Sequence, residues 1–382
     1  MATTTPYIRL NAQWPKPPKR ARCTTIIKFL ILIVIIAIIS FFTFCELQLN
    51  ARIYWRQWLV KEEFKYERLS ECFDNIPYVS DSQSTITYNE ILPAIPINYG
   101  WDCYDFANSI RLLPGQPQEK TIFHTYWRTD LRPLGDKQLA TLKSFFATQS
   151  ANYSSMILWS NGDLSNNTEL KPLLDRYSDR FFTKLYDVEE ESKETPMENS
   201  KNLQIEDKHA YLDGDLIRLL VLYKYGGVWF DMDSLFIRDF SPLIEHEWVG
   251  QWDCFLPEAF PFNGAFMRFK KNSPYVCELL SEMANGPAPR KDSTDWGSTL
   301  YYKIFRRLVQ NERKPFKAVP WCFTDPSVCR PSNSMPSAFD EVEFNQEKLL
   351  QVFAYHWHNQ WDKPKGSLFR FLEQRHEEIL GF

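Results

Sequence analysis

The sequence predicts an α/β fold, a mostly parallel sheet flanked by helices, behind one N-terminal membrane-spanning helix. Three observations carry this. Strand-like and helix-like segments alternate from Thr121 onward, the pattern of parallel strands joined by helical crossovers. Near the middle, an apolar strand Val228-Trp-Phe230 runs into Asp231-Met-Asp233, behind a helical stretch and the pair Gly226-Gly227. Near the start, Ile26 to Phe44 is apolar apart from Lys28, Ser40 and Thr43, close to the roughly 20 residues that span a bilayer.

Four regions follow. Residues 1–25 are read as a cytosolic tail, with Pro, Lys and Arg but no acidic residue, a composition that buries too little apolar surface to fold. Residues 26–45 are read as a signal anchor. The apolar run exceeds the about 7–15 residues of a cleaved signal peptide, and no small-x-small site follows it. Lys16, Lys19, Arg20, Arg22 and Lys28 lie at its N-terminal side, so the positive-inside rule keeps the N-terminus in the cytosol. Arg52 and Arg56 on the far side weaken that bias without reversing it. Residues 46–117 are read as a lumenal stem, with 46–69 continuing as a helix and Tyr54, Trp55 and Trp58 at the membrane interface. The stretch Trp101-Asp-Cys-Tyr-Asp-Phe106 is too aromatic for a free linker and is expected to pack on the main domain, residues 118–382.

The net charge of −4 over 382 residues offers no basic surface for nucleic acid. Asn152-Tyr-Ser154 and Asn166-Asn-Thr168 are N-glycosylation acceptors. Cys72, Cys103, Cys254, Cys277, Cys322 and Cys329 lie past the span, and an even number in an oxidising compartment suits three disulfides. Cys322 and Cys329, flanking a Pro-containing loop, are the pair expected first. Their spacing is not that of a zinc knuckle.

In the main domain, Thr121–Trp127 reads as the first strand, Leu139–Gln149 as a helix, Met156–Trp159 as the second strand and Phe181–Tyr186 as the third. Glu189 to Asp207 is charged, lacks an apolar period and reads as a mobile loop at the edge of a site. His209 to Tyr225 reads as a helix whose Leu212, Leu216, Leu219, Leu220 and Tyr223 form one apolar stripe, and Gly226 stops it. Asp215 and Arg218 share one face of that helix. The chain is expected to turn at Met232, just past the strand end, with Asp231 and Asp233 sharing one site. Two acidic oxygens at the carboxyl end of a strand then suit a hard divalent cation, although such pairs are also common in plain turns. Farther on, Glu247–Trp252 and Asn263–Phe269 read as strands. Asn263-Gly264 has turn chemistry. Asp295-Trp296-Gly297 opens a helix through Leu308, with Asp295 as a candidate N-cap. A last strand ends at His356 and His358, one of which is expected to face the site.

The run Asp215-Leu-Ile-Arg218-Leu-Leu-Val-Leu-Tyr-Lys-Tyr-Gly-Gly-Val-Trp-Phe-Asp231-Met-Asp233, with Asn263-Gly-Ala-Phe-Met and Ala354-Tyr-His356 beyond it, resembles the DXD sugar transferases. That family includes α-1,4-galactosyltransferases, α-1,4-N-acetylglucosaminyltransferases and fungal initiating α-mannosyltransferases. The resemblance covers most of the chain after about residue 118. It implies a GT-A fold for residues 118–382 and a Golgi type II enzyme. The implied reaction moves a hexose from a UDP- or GDP-sugar to a glycan or glycolipid, with retention, to form an α-linkage. It also implies Mn²⁺ or Mg²⁺ held by Asp231, Asp233 and His356, with Asp233 a direct ligand and Asp231 also near the ribose. Asp215 would hold donor-sugar hydroxyls with Arg218 beside it. Asn263 and Gly264 would line the sugar site, and Asp295 and Trp296 would face the acceptor.

The chemistry fits those residue types. A nucleotide diphosphate leaving group needs its charge neutralised as the glycosidic bond breaks, and the transition state is oxocarbenium-like. No nucleophile stands out; Asp253 and Glu258 are merely near in sequence. Two other classes compete. A haloacid-dehalogenase-type phosphotransferase also places D-x-D after an apolar strand, but continues with Thr or Val two residues later; here Ser234-Leu-Phe follows. A non-catalytic membrane lectin or scaffold would keep the fold without turnover, and Mn²⁺-dependent hydrolysis of a sugar nucleotide separates it from an enzyme.

Overall fold

The computed structural model describes residues 21–45, 66–74, 76, 87–93, 102–204, 207–252, 254, 261–329 and 333–382, without the side chains of residues 21–25. The chain divides into two units, Met1–Lys65 and Tyr66–Phe382. In the first, helix α1 spans Ala21–Phe44. At about 1.5 Å per residue it is long enough to cross the roughly 30 Å hydrocarbon core of a bilayer. Its segment Ile26–Phe44 has a mean hydropathy of 2.9 and no buried side chain. Tail residues 1–20, and Tyr54, Trp55 and Trp58 of the expected stem helix, lie outside the described residues.

The second unit begins with α2 (Cys103–Ser109), β1 (Thr121–Trp127), α3 (Asp136–Thr148), β2 (Ser154–Ser160), α4 (Lys171–Arg176), β3 (Phe181–Leu185) and α5 (Val188–Ser192). The centre of the chain supplies α6 (Leu212–Tyr225), β4 (Gly227–Phe230), β5 (Ser234–Phe236), β6 (Trp248–Gln251) and β7 (Phe262–Phe269). It closes with α7 (Pro274–Asn285), α8 (Ser298–Gln310), β8 (Lys317–Val319), α9 (Trp321–Thr324), α10 (Gln346–Leu349), β9 (Ala354–His356) and α11 (Ser367–Leu380). The main sheet has the order β3-β2-β1-β4-β7-β6-β8, and β5 pairs with β9 apart from it. The run β3-β2-β1-β4 is parallel, as is β6-β8, whereas β7 runs antiparallel to both neighbours. The fold is therefore mixed α/β with a mostly parallel sheet, as the alternation of segments predicts.

The central strands are buried on both faces, which is why they read as near-continuous apolar runs. Phe123, Met156, Leu158, Val228 and Phe230 pack on one side with residues of α3, α9 and α11. Ile157, Trp159, Trp229 and Met267 pack on the other with α6, α7 and α8. The chain runs outward from β1 through β2 to β3, then returns through α6 to place β4 on the opposite side of β1. The crevice between β1 and β4 is thus a topological switch point, where open α/β sheets bind ligands.

The turn from α6 into β4 needs both glycines. Gly226 has φ +68° and Gly227 φ +108°, a region that side chains resist. A Cβ on Gly227 would also strike the carbonyl oxygen of Ile122 in β1. Beside this turn, buried His124 faces the Gly226 carbonyl with Nε2 at 3.0 Å and Trp159 Nε1 with Nδ1 at 3.2 Å. The indole N–H only donates, so Nδ1 accepts and Nε2 carries the proton to Gly226.

Three expectations are corrected here. The disulfides are Cys72–Cys277, Cys103–Cys322 and Cys254–Cys329, so Cys322 and Cys329 do not pair. Cys322 rides on α9, which packs against α2 and faces Cys103, and tertiary packing overrides nearness in sequence. Glu189–Asp207 is not a free loop: it holds α5 and a short turn of helix at Lys201–Leu203, and it buries Glu191, Met197 and Leu203. Its segments are too short to display a period. Asp295 is not the N-cap of α8, which begins after Gly297. Within the second unit, Tyr104 of the aromatic stretch is buried and its hydroxyl donates to the Asn333 carbonyl.

Candidate active site

A cleft of about 710 Å³ opens at the carboxyl ends of β1 and β4, within the usual range of ligand pockets. β4 ends at Phe230 and β5 starts at Ser234, so Asp231-Met-Asp233 is a bend between two strands rather than part of either. Thr141 Oγ1 donates to the Met232 carbonyl at 2.8 Å, and the Asp231 N–H donates to the Ala265 carbonyl at 2.9 Å. Both anchors hold the bend, and both carboxylates line the cleft.

α6 supplies the wall. Its Arg218 donates to Asp215 Oδ1 at 2.6 Å, to Tyr301 Oη at 2.8 Å and to Asp231 Oδ1 at 3.0 Å. Trp229 Nε1 donates to the same Asp231 oxygen at 2.7 Å. Burial lowers the acidity of Asp215 more than the guanidinium restores it, and its carboxyl is pushed up to about 6. Burial works against the charge of Arg218, but Asp231, Tyr301 and Asp215 outweigh it and raise the guanidinium above its ordinary value. Arg218 therefore orders the two carboxylates around it. Gly264 makes room for it: a Cβ there would strike Arg218 Nη1 and lie 2.9 Å from Tyr301 Oη. Asn263-Gly264 is not a turn but lies inside β7, opposite a register shift between Val249 and Gly250 of β6, the kind of irregularity that re-aims a side chain.

The far wall comes from β9. His356 Nε2 lies 3.2 Å from Asp233 Oδ2, which also accepts the Asn359 N–H at 2.6 Å. His356 Nδ1 lies 3.4 Å from Asp325 Oδ2. Burial works against a charged ring here, but Asp233 and Asp325 outweigh it and raise the imidazole well above its ordinary value. The expectation that one of His356 and His358 faces the site is overturned, because both line the cleft. Residues two apart share one side of a strand. Here β9 stops at His356 and the chain then takes positive φ at His358 and Asn359, +53° and +55°. Their rings lie 4.1 Å apart, and His358 Nε2 reaches Asp325 Oδ1 at 3.0 Å.

Of the residues singled out from sequence, Asp215, Arg218, Asp231, Asp233, Asn263, Gly264 and His356 line this one cleft. Asp295 and Trp296 do not. Asp295 turns outward to Arg290 at 2.7 Å, and Trp296 is buried in the core beneath; Thr294, Gly297 and Ser298 present that segment instead. Asp253 and Glu258 lie outside the described residues. Tyr301 and Asp325 were missed, since each meets the site through a partner dozens of residues away and carries no local pattern. One ligand atom each from Asp231, Asp233 and His356 lies within 4.8 Å of the others. Two carboxylates and an imidazole fit Mn²⁺ or Mg²⁺ in donor type.

Residues 136–249 match the profile of a family described as a glycosyltransferase sugar-binding region containing a DXD motif. Over 68 residues the chain is 41% identical to an uncharacterized protein of Arabidopsis thaliana, covering 18% of this chain and only 10% of that protein's length. Among solved structures, mouse xyloside xylosyltransferase 1 superposes with a TM-score of 0.38 at 13% identity, over 65% of this chain and all of that one. The PaToxG glycosyltransferase gives 0.37 at 17% identity, over 55% of this chain and 74% of that one. The bifunctional glycosyltransferase WbbM gives 0.41 at 10% identity, over 71% of this chain and 52% of that one.

Proposed function

From the match of residues 136–249 to the DXD-containing glycosyltransferase sugar-binding regions, we propose that the protein is a divalent-cation-dependent hexosyltransferase. It uses a UDP- or GDP-sugar, acts on a glycan or glycolipid, and forms an α-linkage with retention. Helix α1 anchors it as a type II protein of a Golgi membrane with the second unit lumenal. The observation that carries the reading is the convergence of Asp231, Asp233 and His356 on one point of the switch-point cleft. Three disulfides in the second unit suit an oxidising lumen.

In this reading Asp231, Asp233 and His356 hold Mn²⁺ or Mg²⁺. The bound cation supplies Lewis acidity and charge neutralisation at the diphosphate as it leaves. Asp215 accepts hydroxyls of the donor hexose with the oxygen that Arg218 leaves free. Arg218 keeps Asp215 and Asp231 oriented, so that no side chain has to reorganise as charge develops. Asn263 and Gly264 shape the wall beside the sugar.

The test is thermal unfolding of the detergent-solubilised full chain with UDP, GDP and their hexose conjugates, with and without Mn²⁺. A ligand at a hundred times its Kd stabilises the native state by about 2.7 kcal/mol. The expected outcome is a rise in midpoint with one nucleotide class, dependent on Mn²⁺ and lost in Asp233→Ala. A folded protein that responds to no nucleotide overturns the enzyme reading and leaves a sugar-binding or scaffold role.

A further inference from the structure

We propose that Asp325 is a positioning residue for the cation site: it fixes the ring of His356 and its Nδ1–H tautomer, so that Nε2 faces Asp231 and Asp233. The inference rests on reading those three residues as a divalent-cation site.

Asp325 is 1% exposed and does not line the cleft. Its Oδ2 accepts from Asn263 Nδ2 at 3.1 Å and faces His356 Nδ1 at 3.4 Å. Its Oδ1 accepts from Ser327 Oγ at 3.2 Å and from His358 Nε2 at 3.0 Å. A carboxylate only accepts, so without a cation each His356 nitrogen donates to the carboxylate it faces, Nδ1 to Asp325 and Nε2 to Asp233. A cation beside Asp233 would take the place of the Nε2 proton, and Asp325 would keep the proton on Nδ1. Ligating histidines ordinarily give their second N–H to a carboxylate or carbonyl, which sets the tautomer and the ring plane.

The carboxylate is held independently of the histidines. The Asp325 N–H donates to the Trp321 carbonyl at 2.8 Å. Cys322, three residues before, is tied to Cys103, and Cys329, four residues after, is tied to Cys254. The Phe353 N–H donates to the Phe323 carbonyl at 2.8 Å, which sets the chain just ahead of Asp325 against the chain leading into β9. Asp325 is a fixed post, and the strand end carrying His356 and His358 is oriented against it.

Asp325, His356 and His358 also lie within ligand distance of one another. However, Asn263 and Ser327 already occupy lone pairs of Asp325, and its place behind the His356 ring suits a supporting role.

The experiment is a Mn²⁺ titration of the full chain in detergent, with free Mn²⁺ read by electron paramagnetic resonance and the unfolding midpoint recorded on the same samples. Asp325→Asn is expected to bind Mn²⁺ about 10–100-fold more weakly than wild type, with its fold retained. Asp233→Ala is the reference for loss of a direct ligand. Unchanged affinity in Asp325→Asn, with wild type binding, overturns this inference alone. Loss equal to that of Asp233→Ala makes Asp325 a ligand and overturns it too. Absence of Mn²⁺ binding in wild type overturns the cation site and the inference together. Should Asp325→Asn not fold, ¹⁵N-histidine spectra of Mg²⁺-loaded wild type decide: an Nδ1–H pattern at His356, assigned with His356→Gln, supports the inference, and an Nε2–H pattern overturns it.

Discussion

At the scale of single residues, the site depends on groups that cannot be left unpartnered. Arg218 is buried among Asp215, Asp231 and Tyr301. Arg218→Met strands the Asp215 carboxylate, and removing one partner of a buried pair costs about 3–5 kcal/mol. The urea midpoint should fall accordingly, and Asp215→Asn in the same chain should recover part of the loss. His124 makes a second prediction, on pH. Burial, with Lys184 adding to it, pushes its imidazole down to about 4, whereas the unfolded chain titrates near 6.5. Between those values the unfolded state takes up a proton that the native state refuses. The contribution of His124 is therefore complete above about pH 6.5 and falls by about 3 kcal/mol as pH drops toward 4. The urea midpoint should drop from pH 7 to pH 5, and less steeply in His124→Gln. His376, buried and pushed down to about 3, keeps some of the slope. The spacing of Asp215 and Arg218 was legible along the helix; Tyr301, which completes the cluster from α8, was not.

At the scale of elements, the turn between α6 and β4 sets where the D-x-D bend begins. The two glycines were legible as a helix stop, and their further purpose, the close approach of Gly227 to β1, required the sheet. Gly227→Ala adds a methyl against the Ile122 carbonyl in a left-handed conformation, a cost of roughly 2–5 kcal/mol from overpacking and backbone strain together. It should lower the denaturation midpoint far more than an alanine at solvent-facing Gly381, whose Cβ would meet no atom within 4 Å. The start of α8 and the end of β9 were misplaced from sequence. A Gly cap has no side-chain signature, and the positive φ of His358 and Asn359 goes with contacts to Asp325 and Asp233 that are remote in sequence.

At the scale of the whole molecule, the segment after residue 65 belongs to the folded unit. Ser70 donates to buried Glu278, which pairs with Arg307 at 2.8 Å, and Arg307 also reaches Glu67. The disulfide Cys72–Cys277 closes the same corner across a sequence separation of 205. Replacing both cysteines by serine should cost about 2–5 kcal/mol, read as a lower unfolding midpoint. Dithiothreitol should lower the midpoint of wild type further, since it opens all three bridges.

The sequence by itself determined the apolar helix, the alternating strands and helices, and the cluster of residues around the D-x-D pair. Each of these is a local pattern, a run, a period or a spacing, that survives without knowledge of the fold. The tertiary structure alone decided the disulfide partners, the convergence of His356 and His358 on Asp325, and the displacement of Asp295 and Trp296 from the cleft. Those depend on contacts between residues far apart in the chain, whose energies arise only once the elements have packed.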